Sequence, residues 1–170
     1  MQPEHALFLR DNAIRNLKNE QPVTQRVIEA IPADKADYRP DAAAKSAHEL
    51  AMHIVGAEHL FHTAVITGAF DFANAARPAA GASPAEIARW YAETSARDLE
   101  KLAALPADTL LKVIDFRGLF QLPAVAYLDF SLRHIVHHRG QLSVYLRPMG
   151  SKVPGIYGES YDSAKAKAGA

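Results

Sequence analysis

The amino-acid sequence predicts an all-α protein, specifically a four-helix bundle. Apolar residues recur at steps of three and four along four long segments, which is the period of an amphipathic helix. Prolines and glycines separate these segments, and only residues 108–122 show the alternation typical of a strand. With 170 residues, 49% of them hydrophobic, the chain is long enough to bury a sizeable core. We therefore expect a single domain over residues 1–170.

The first two helices are predicted from apolar periodicity and from their boundary residues. The first spans about His5–Ile31 and is expected to be kinked or broken near Pro22, because proline cannot donate a backbone hydrogen bond. The second spans about Ser46–Gly68, where Ser46 and Glu49 have the spacing of a capping box and Gly68 is a suitable helix stop. Between the two helices, prolines and aspartates indicate a loop.

The second half of the chain contains two further predicted helices. The third spans about Pro84–Leu105 and follows Ser83, which is a suitable N-cap. Residues 108–122 contain a glycine and are predicted to be extended or to form a short strand pair. The fourth helix spans about Pro123–Arg147 and is followed by a proline and a glycine. The C-terminal segment AKAKAGA is expected to be frayed.

Composition and charge exclude several classes of function. Lysine plus arginine equals aspartate plus glutamate, at 19 residues each, which argues against a broad nucleic-acid-binding surface. The absence of cysteine excludes disulfides, thiolate metal ligands and a cysteine nucleophile. Neither a signal peptide nor an apolar run long enough to span a membrane is recognisable, so we expect a cytoplasmic protein.

Histidines cluster in the predicted fourth helix, in the segment RHIVHHRGQLSVYLR at residues 133–147. Because a helix turns about 100° per residue, His134 and His138 project from the same face, whereas His137 lies about 60° away, nearer the helix boundary. Two imidazoles inside a bundle must hydrogen-bond, lie at a half-exposed polar edge, or bind a shared metal ion. The spacing alone leaves these three interpretations open.

The second predicted helix supplies a candidate third ligand, since it carries His48, His53, His59 and His62. His48 and His53 are five residues apart, about 140° around the helix, which excludes the HExxH site of a zinc protease. His53 lies beside the apolar stripe and is the best candidate, and the other three are expected to be solvated or structural. Glu49, one turn before His53, could accept its second ring N–H, act as a base, or serve only in the capping box.

Four segments together resemble the DinB superfamily of DinB/YfiT-like metalloenzymes: IPADKADYRP, SAHELAMHIVGAEHLF, RHIVHHRGQLSVYLRPMG and KVPGIYGESYD. They occur in family order over about Ile31–Asp162, and the most specific is HHRGQL followed by YLR. The resemblance implies an up-down-down-up four-helix bundle in which three histidines hold one divalent ion. Matched to the family motifs, these ligands are His53, His134 and His138, and the spacing of the residues favours the same three.

The resemblance also implies a function. We expect a divalent-metal-dependent enzyme that acts on a small-molecule substrate, either as a hydrolase or as a transferase of a small thiol such as mycothiol or bacillithiol. All-histidine ligation fits zinc, nickel, iron or copper, of which we favour zinc or nickel. We expect a homodimer without nucleic-acid or membrane partners. The alternative is a non-catalytic, stress-associated metal-binding bundle that works through binding or dimerisation.

Overall fold

The structure, a computed structural model, describes residues 1–168 and is mostly helical, which confirms the predicted predominance of helix. Its elements in chain order are α1 (Pro3–Glu29), α2 (Ala47–Thr67), α3 (Pro84–Ala103), α4 (Ala107–Leu111), β1 (Val113–Phe116), β2 (Phe120–Pro123), α5 (Ala126–Leu146) and α6 (Tyr161–Ala168). Over residues 1–168, no helix is both long enough and apolar enough to cross a lipid bilayer.

Helix α1 continues through Pro22 as one helix, so a break at this proline, one of the two predicted outcomes, is wrong. Proline in a helix interior removes one backbone hydrogen bond and costs roughly 3 kcal/mol. That cost is offset by packing, because α1 buries Leu17, Thr24 and Val27 on both sides of the proline and contacts both α3 and α5. Tertiary contacts therefore outweigh the local preference at this position.

The predicted boundaries of α2 are confirmed. The Ser46 hydroxyl accepts a hydrogen bond from the Glu49 backbone N–H at 3.1 Å, and the Glu49 carboxylate accepts one from the Ser46 N–H at 2.9 Å. At the other end, Gly68 has a φ of 82°, a left-handed conformation that glycine adopts without steric cost. Both ends of the helix that carries His53 are thus defined by local interactions.

Residues 108–122 were predicted to be extended or a strand pair, and residues 113–122 do belong to an antiparallel hairpin of β1 and β2, whereas residues 108–111 belong to the short helix α4. Phe116 pairs with Phe120, and their rings stack with centroids 5.0 Å apart. At the tip, Arg117 and Gly118 have positive φ values of 55° and 70°. Two consecutive positive φ values suit the twist of a tight hairpin turn.

The C-terminal segment is helical rather than frayed over residues 164–168, which belong to α6. The Asp162 carboxylate anchors the start of this helix by accepting hydrogen bonds from the Val153 backbone N–H at 2.9 Å and from the Arg147 side chain at 3.1 Å. The expectation for residues 169–170 lies outside the described residues.

The four long helices pack pairwise, with α1 and α2 each contacting both α3 and α5. Two buried polar clusters join them. The Arg139 guanidinium on α5, whose side chain is 1% exposed, pairs with Glu20 and contacts Thr24 on α1. On the other side, the Glu58 carboxylate on α2 accepts hydrogen bonds from Tyr91 at 2.6 Å and from Ser95 at 2.9 Å, both on α3.

The Arg139 cluster fixes how α5 is rotated about its own axis. A buried guanidinium needs partners for its charge and its N–H groups, and here they come from α1 and from the Tyr157 hydroxyl at 2.8 Å. On a helix, position 138 lies about 100° from position 139 and position 134 about 140° from it. When Arg139 faces α1, His134 and His138 therefore face α2.

We expect Arg139→Met to lower the free energy of unfolding by about 3–5 kcal/mol, because it leaves the largely buried Glu20 carboxylate without its partner. Urea unfolding followed by circular dichroism would measure the change. Arg133→Met on the same helix is the matched control, since Arg133 is exposed and its ion-pair partner among residues 1–168 is the exposed Asp129. Equal, small effects of the two substitutions would contradict the role given to the buried cluster.

Candidate metal centre

Three histidines from two helices converge at one point between α2 and α5. The Nε2 atom of His53 lies 3.1 Å from Nε2 of His134 and 3.2 Å from Nε2 of His138. His134 and His138 are one turn apart on α5, so the predicted shared face is present. The structure thus brings together all three residues that the sequence singled out, as a group that could hold a metal ion.

The separations between the ring nitrogens fit a shared ion. Zinc binds histidine nitrogen at about 2.0–2.1 Å, which in tetrahedral geometry places neighbouring nitrogens about 3.4 Å apart. The observed 3.1 and 3.2 Å differ from that spacing by only a few tenths of an ångström. A hydrogen-bonded explanation is incomplete, because one Nε2 proton on His53 can serve only one of its two close neighbours. The donor set is therefore suited to a divalent cation.

Gln141 orients the His138 ring. Its Oε1 atom lies 2.6 Å from Nδ1 of His138, so this ring nitrogen donates its proton to the amide oxygen. The proton on Nδ1 leaves the lone pair of Nε2 free to point at His53, the arrangement that outer hydrogen bonds impose on metal-binding histidines. Nδ1 of His134 is buried without a hydrogen-bond partner among the described residues, and this ring packs against Phe61 instead, with centroids 5.9 Å apart.

Burial keeps the three imidazoles neutral at pH 7. Burial is the main cause that lowers the pKa of His53 to about 4, with smaller contributions from repulsion between its protonated form and His138, Lys45 and Arg77. Burial likewise lowers the pKa of His134 to about 3, and the pKa of His138 shifts in the same direction. Metal binding requires unprotonated imidazole, so protons compete weakly with a cation at this site.

The remaining histidines of α2 lie outside the three-histidine group, and His137 is exposed on α5. Nδ1 of His59 lies 2.6 Å from the Asp98 carboxylate, and Nε2 of His48 lies 3.0 Å from a backbone carbonyl. His62 is completely buried, with Nδ1 3.7 Å from the same Asp98. None of these side chains joins the three-histidine group.

Glu49 serves the capping box and not His53. Besides the Ser46 N–H, its carboxylate accepts a hydrogen bond from Arg39 at 2.8 Å. The hydrogen bond from Arg39 is the main cause that lowers the pKa of Glu49 well below its usual range. Of the three roles that the sequence left open for this residue, the structure supports the capping role.

A cavity of about 690 Å³ lies beside the histidines. Its lining includes His53 and His134. It also includes Arg77, from the loop between α2 and α3, and Phe116 and Arg117, from the hairpin of β1 and β2. The segment GAFDFANAARP, with two phenylalanines in a loop, carried a usable signal, because loops rarely hold aromatic side chains without a surface to cover. The volume falls within the range of small-molecule sites.

Comparison with known proteins identifies the family. The DinB family model matches residues 5–168, almost the whole chain. The chain belongs to the DinB family. This confirms the resemblance found in the sequence motifs.

Individual relatives agree with the family assignment. The uncharacterized protein YjoA of Bacillus subtilis is 32% identical over 131 residues, which cover 75% of this chain and 82% of YjoA. The crystal structure of YjoA, described as a DinB-like protein, superposes with a TM-score of 0.72 at 27% identity and covers 87% of this chain and 98% of YjoA. A DinB-like protein from Bacillus cereus gives a TM-score of 0.72 at 23% identity, over 86% of this chain and 97% of that one, which supports the fold.

We expect alanine at His53, His134 or His138 to remove most of the bound metal, because two imidazoles hold a divalent ion much more weakly than three. Equilibrium dialysis against zinc or nickel, followed by elemental analysis, would measure occupancy. His137→Ala is the matched control on the same helix and should leave occupancy nearly unchanged, since this side chain is exposed outside the group. If His137→Ala empties the site and His138→Ala does not, the assigned face of α5 is wrong.

We expect Gln141→Leu to weaken metal affinity by about 10-fold or more, the usual effect of removing an outer hydrogen bond to a ligating histidine. Competition with a chromophoric chelator would measure the dissociation constant. Gln141→Glu should restore the affinity, because a carboxylate oxygen can accept the same proton from Nδ1 of His138. Unchanged affinity in Gln141→Leu would show that the ring is oriented without this hydrogen bond.

Proposed function

We propose that this protein is a divalent-metal-dependent enzyme that acts as a hydrolase or as a small-thiol-dependent transferase. The observation that carries the proposal is the convergence of three imidazole nitrogens, 3.1 and 3.2 Å apart, next to a cavity of about 690 Å³. Family membership supports the same proposal. The metal ligands would be His53, His134 and His138.

The number of ligands favours catalysis over a structural role for the ion. Structural zinc sites have four protein ligands, whereas catalytic sites have three and keep a further position open. In the part of the chain that the structure describes, no fourth histidine or carboxylate joins the cluster. The non-catalytic alternative, a metal-binding protein that works through binding or dimerisation, lacks this support.

The chemistry at the site follows from its ligands and its surroundings. A divalent ion held by neutral imidazoles acts as a Lewis acid and makes a coordinated water or thiol more acidic. Lys45, Arg77 and Arg117 line the cavity and favour the approach of anionic groups. Phenylalanine side chains form its apolar part. Because the chain has no cysteine, any thiol in the reaction must belong to the substrate.

Four further features belong to the proposal. We favour zinc or nickel, with iron or copper as alternatives, since three imidazoles suit all four metals. The long helices would form an up-down-down-up four-helix bundle, as the family resemblance implies. The protein would be a cytoplasmic homodimer, the commonest symmetric assembly. Its partner would be a small molecule rather than nucleic acid or a membrane.

We expect chelation to abolish turnover and added zinc or nickel to restore it. Suitable assays are the hydrolysis of a panel of p-nitrophenyl esters and the transfer of small thiols to a chromogenic aryl halide. His134→Ala should lose turnover while its circular dichroism spectrum is unchanged, because α5 is held mainly by buried apolar side chains. His137→Ala should remain active. Full activity in a verified metal-free preparation would contradict the proposal, and metal binding without any turnover would favour the non-catalytic alternative.

A further inference from the structure

The cavity beside the three histidines has a positively charged rim. Lys45 precedes α2, Arg77 lies in the loop between α2 and α3, and Arg117 lies at the tip of the hairpin. Within residues 1–168, no carboxylate forms an ion pair with any of these three side chains. The one acidic side chain in the lining, Glu49, is paired with Arg39. The rim therefore has cationic groups whose charge no protein carboxylate neutralises.

The backbone at Arg117 is unusual for an arginine. Its φ of 55° lies in the left-handed region, which glycine and asparagine occupy far more readily than a long side chain does. The next residue, Gly118, also has a positive φ, so the turn itself does not need an arginine. The hairpin turn accounts for the positive φ, and the Arg117 side chain lines the cavity from this position.

The Arg117 guanidinium is held in place by an aromatic ring. Its central carbon lies 4.0 Å from the centroid of the Phe72 ring, a cation–π contact. A guanidinium in contact with a ring face still has N–H groups that can donate hydrogen bonds. Those N–H groups form the fork that matches a carboxylate.

The second arginine of the cavity, Arg77, packs against α2. The aliphatic part of Arg77 lies across α2 at Gly56, where a Cβ atom would be 3.5 Å from Cγ of Arg77. Gly56 is three residues after His53, on the adjacent turn of the same helix. Arg77 and Arg117 thus line one cavity with His53, and they come from different segments of the chain.

The rest of the cavity offers an apolar surface of suitable size. Phe61, Phe72, Phe116 and Phe130 contribute to its lining. The Phe61 ring lies 5.1 Å from the Phe130 ring and 5.9 Å from the His134 ring, so aromatic surface reaches the histidines. About 690 Å³ can hold a small aromatic molecule with a short side chain.

We propose that the cavity binds a small organic carboxylate with a flat apolar body. The carboxylate would be received by Arg77 and Arg117, and the body would lie against Phe72, Phe116 and Phe130. The placing of the reactive end of the ligand next to the histidines rests on the proposed function. Binding of the carboxylate by the arginines does not, because it requires no metal ion.

The test compares matched acids and amides on the full-length protein, both metal-free and zinc-loaded. The probes are benzoate, phenylacetate and 3-phenylpropionate, each against its neutral amide of nearly the same shape, titrated by calorimetry. We expect at least one acid to bind about 10-fold more tightly than its amide in both forms, the effect of a charge-assisted contact. Arg77→Gln and Arg117→Gln should each remove most of this preference and leave amide binding unchanged.

Two further variants sharpen the result. Arg89→Gln on α3 is a matched control, since Arg89 is exposed and lies outside the cavity, and it should keep the full preference for the acid. Arg117→Gly suits the positive φ better than arginine does, so it should lose the preference without losing thermal stability. If Arg117→Gly lost both its thermal stability and its preference for the acid, Arg117 would be needed for the turn itself. That result would contradict the proposal.

The outcomes separate this proposal from the proposed function. Equal binding of every acid and amide, or no binding of any acid, overturns the carboxylate site. Acid binding that needs zinc and ignores both arginine substitutions also overturns it, because the acid then binds the ion, and the proposed function stands. Arginine-dependent acid binding in a protein that takes up no metal supports the carboxylate site and contradicts the proposed function.

Discussion

The buried charge of Arg139 is the constraint on which the geometry of the histidine site depends. Its guanidinium is nearly inaccessible to solvent and must be satisfied by Glu20, Thr24 and Tyr157, so α5 can have only one rotation relative to α1. That rotation directs His134 and His138 toward α2. Residues 134–141 of α5 thus supply two ring nitrogens, from His134 and His138. The same stretch contains Arg139, which sets the rotation of the helix, and Gln141, which orients the His138 ring. A rotation by one residue would turn both rings by about 100° and separate them from His53.

Helix α2 separates two electrostatic environments. Toward α5, its face carries the neutral His53 next to a cavity with a basic rim. Toward α3, it carries Glu58, whose pKa is raised by burial although Tyr91 and Ser95 donate hydrogen bonds to its carboxylate. The buried carboxylates of Glu58 and Asp98 thus lie outside the group formed by His53, His134 and His138. A cation at the three imidazoles would therefore keep its charge available to a ligand in the cavity, since no protein carboxylate in the three-histidine group offsets it.

The parts of this molecule that could be predicted from the sequence are those set by local spacing. The capping box of Ser46 and Glu49, the stop at Gly68 and the shared face of His134 and His138 each depend on residues within one or two turns. Of the kink or break expected at Pro22, the break was wrong because packing on α3 and α5 stabilises a continuous α1, which a local rule does not include. The lining of the cavity could not be worked out residue by residue, because it joins a loop and a hairpin that are far apart in sequence and show no helical period. The orienting role of Gln141 follows local i, i+3 spacing, but which helix the two histidines of α5 face depends on the packing of α5, including the buried contacts of Arg139.

The central claim is that three histidines alone hold one divalent ion and leave its remaining coordination positions to small molecules. X-ray absorption at the zinc edge of the zinc-loaded protein, recorded with and without a small thiol, tests it most directly. The account predicts three imidazole nitrogens at about 2.0–2.1 Å in both spectra, with an oxygen neighbour replaced by one sulfur at about 2.3 Å when the thiol is added. A shell that contains a fourth protein ligand and does not change when the thiol is added would contradict it.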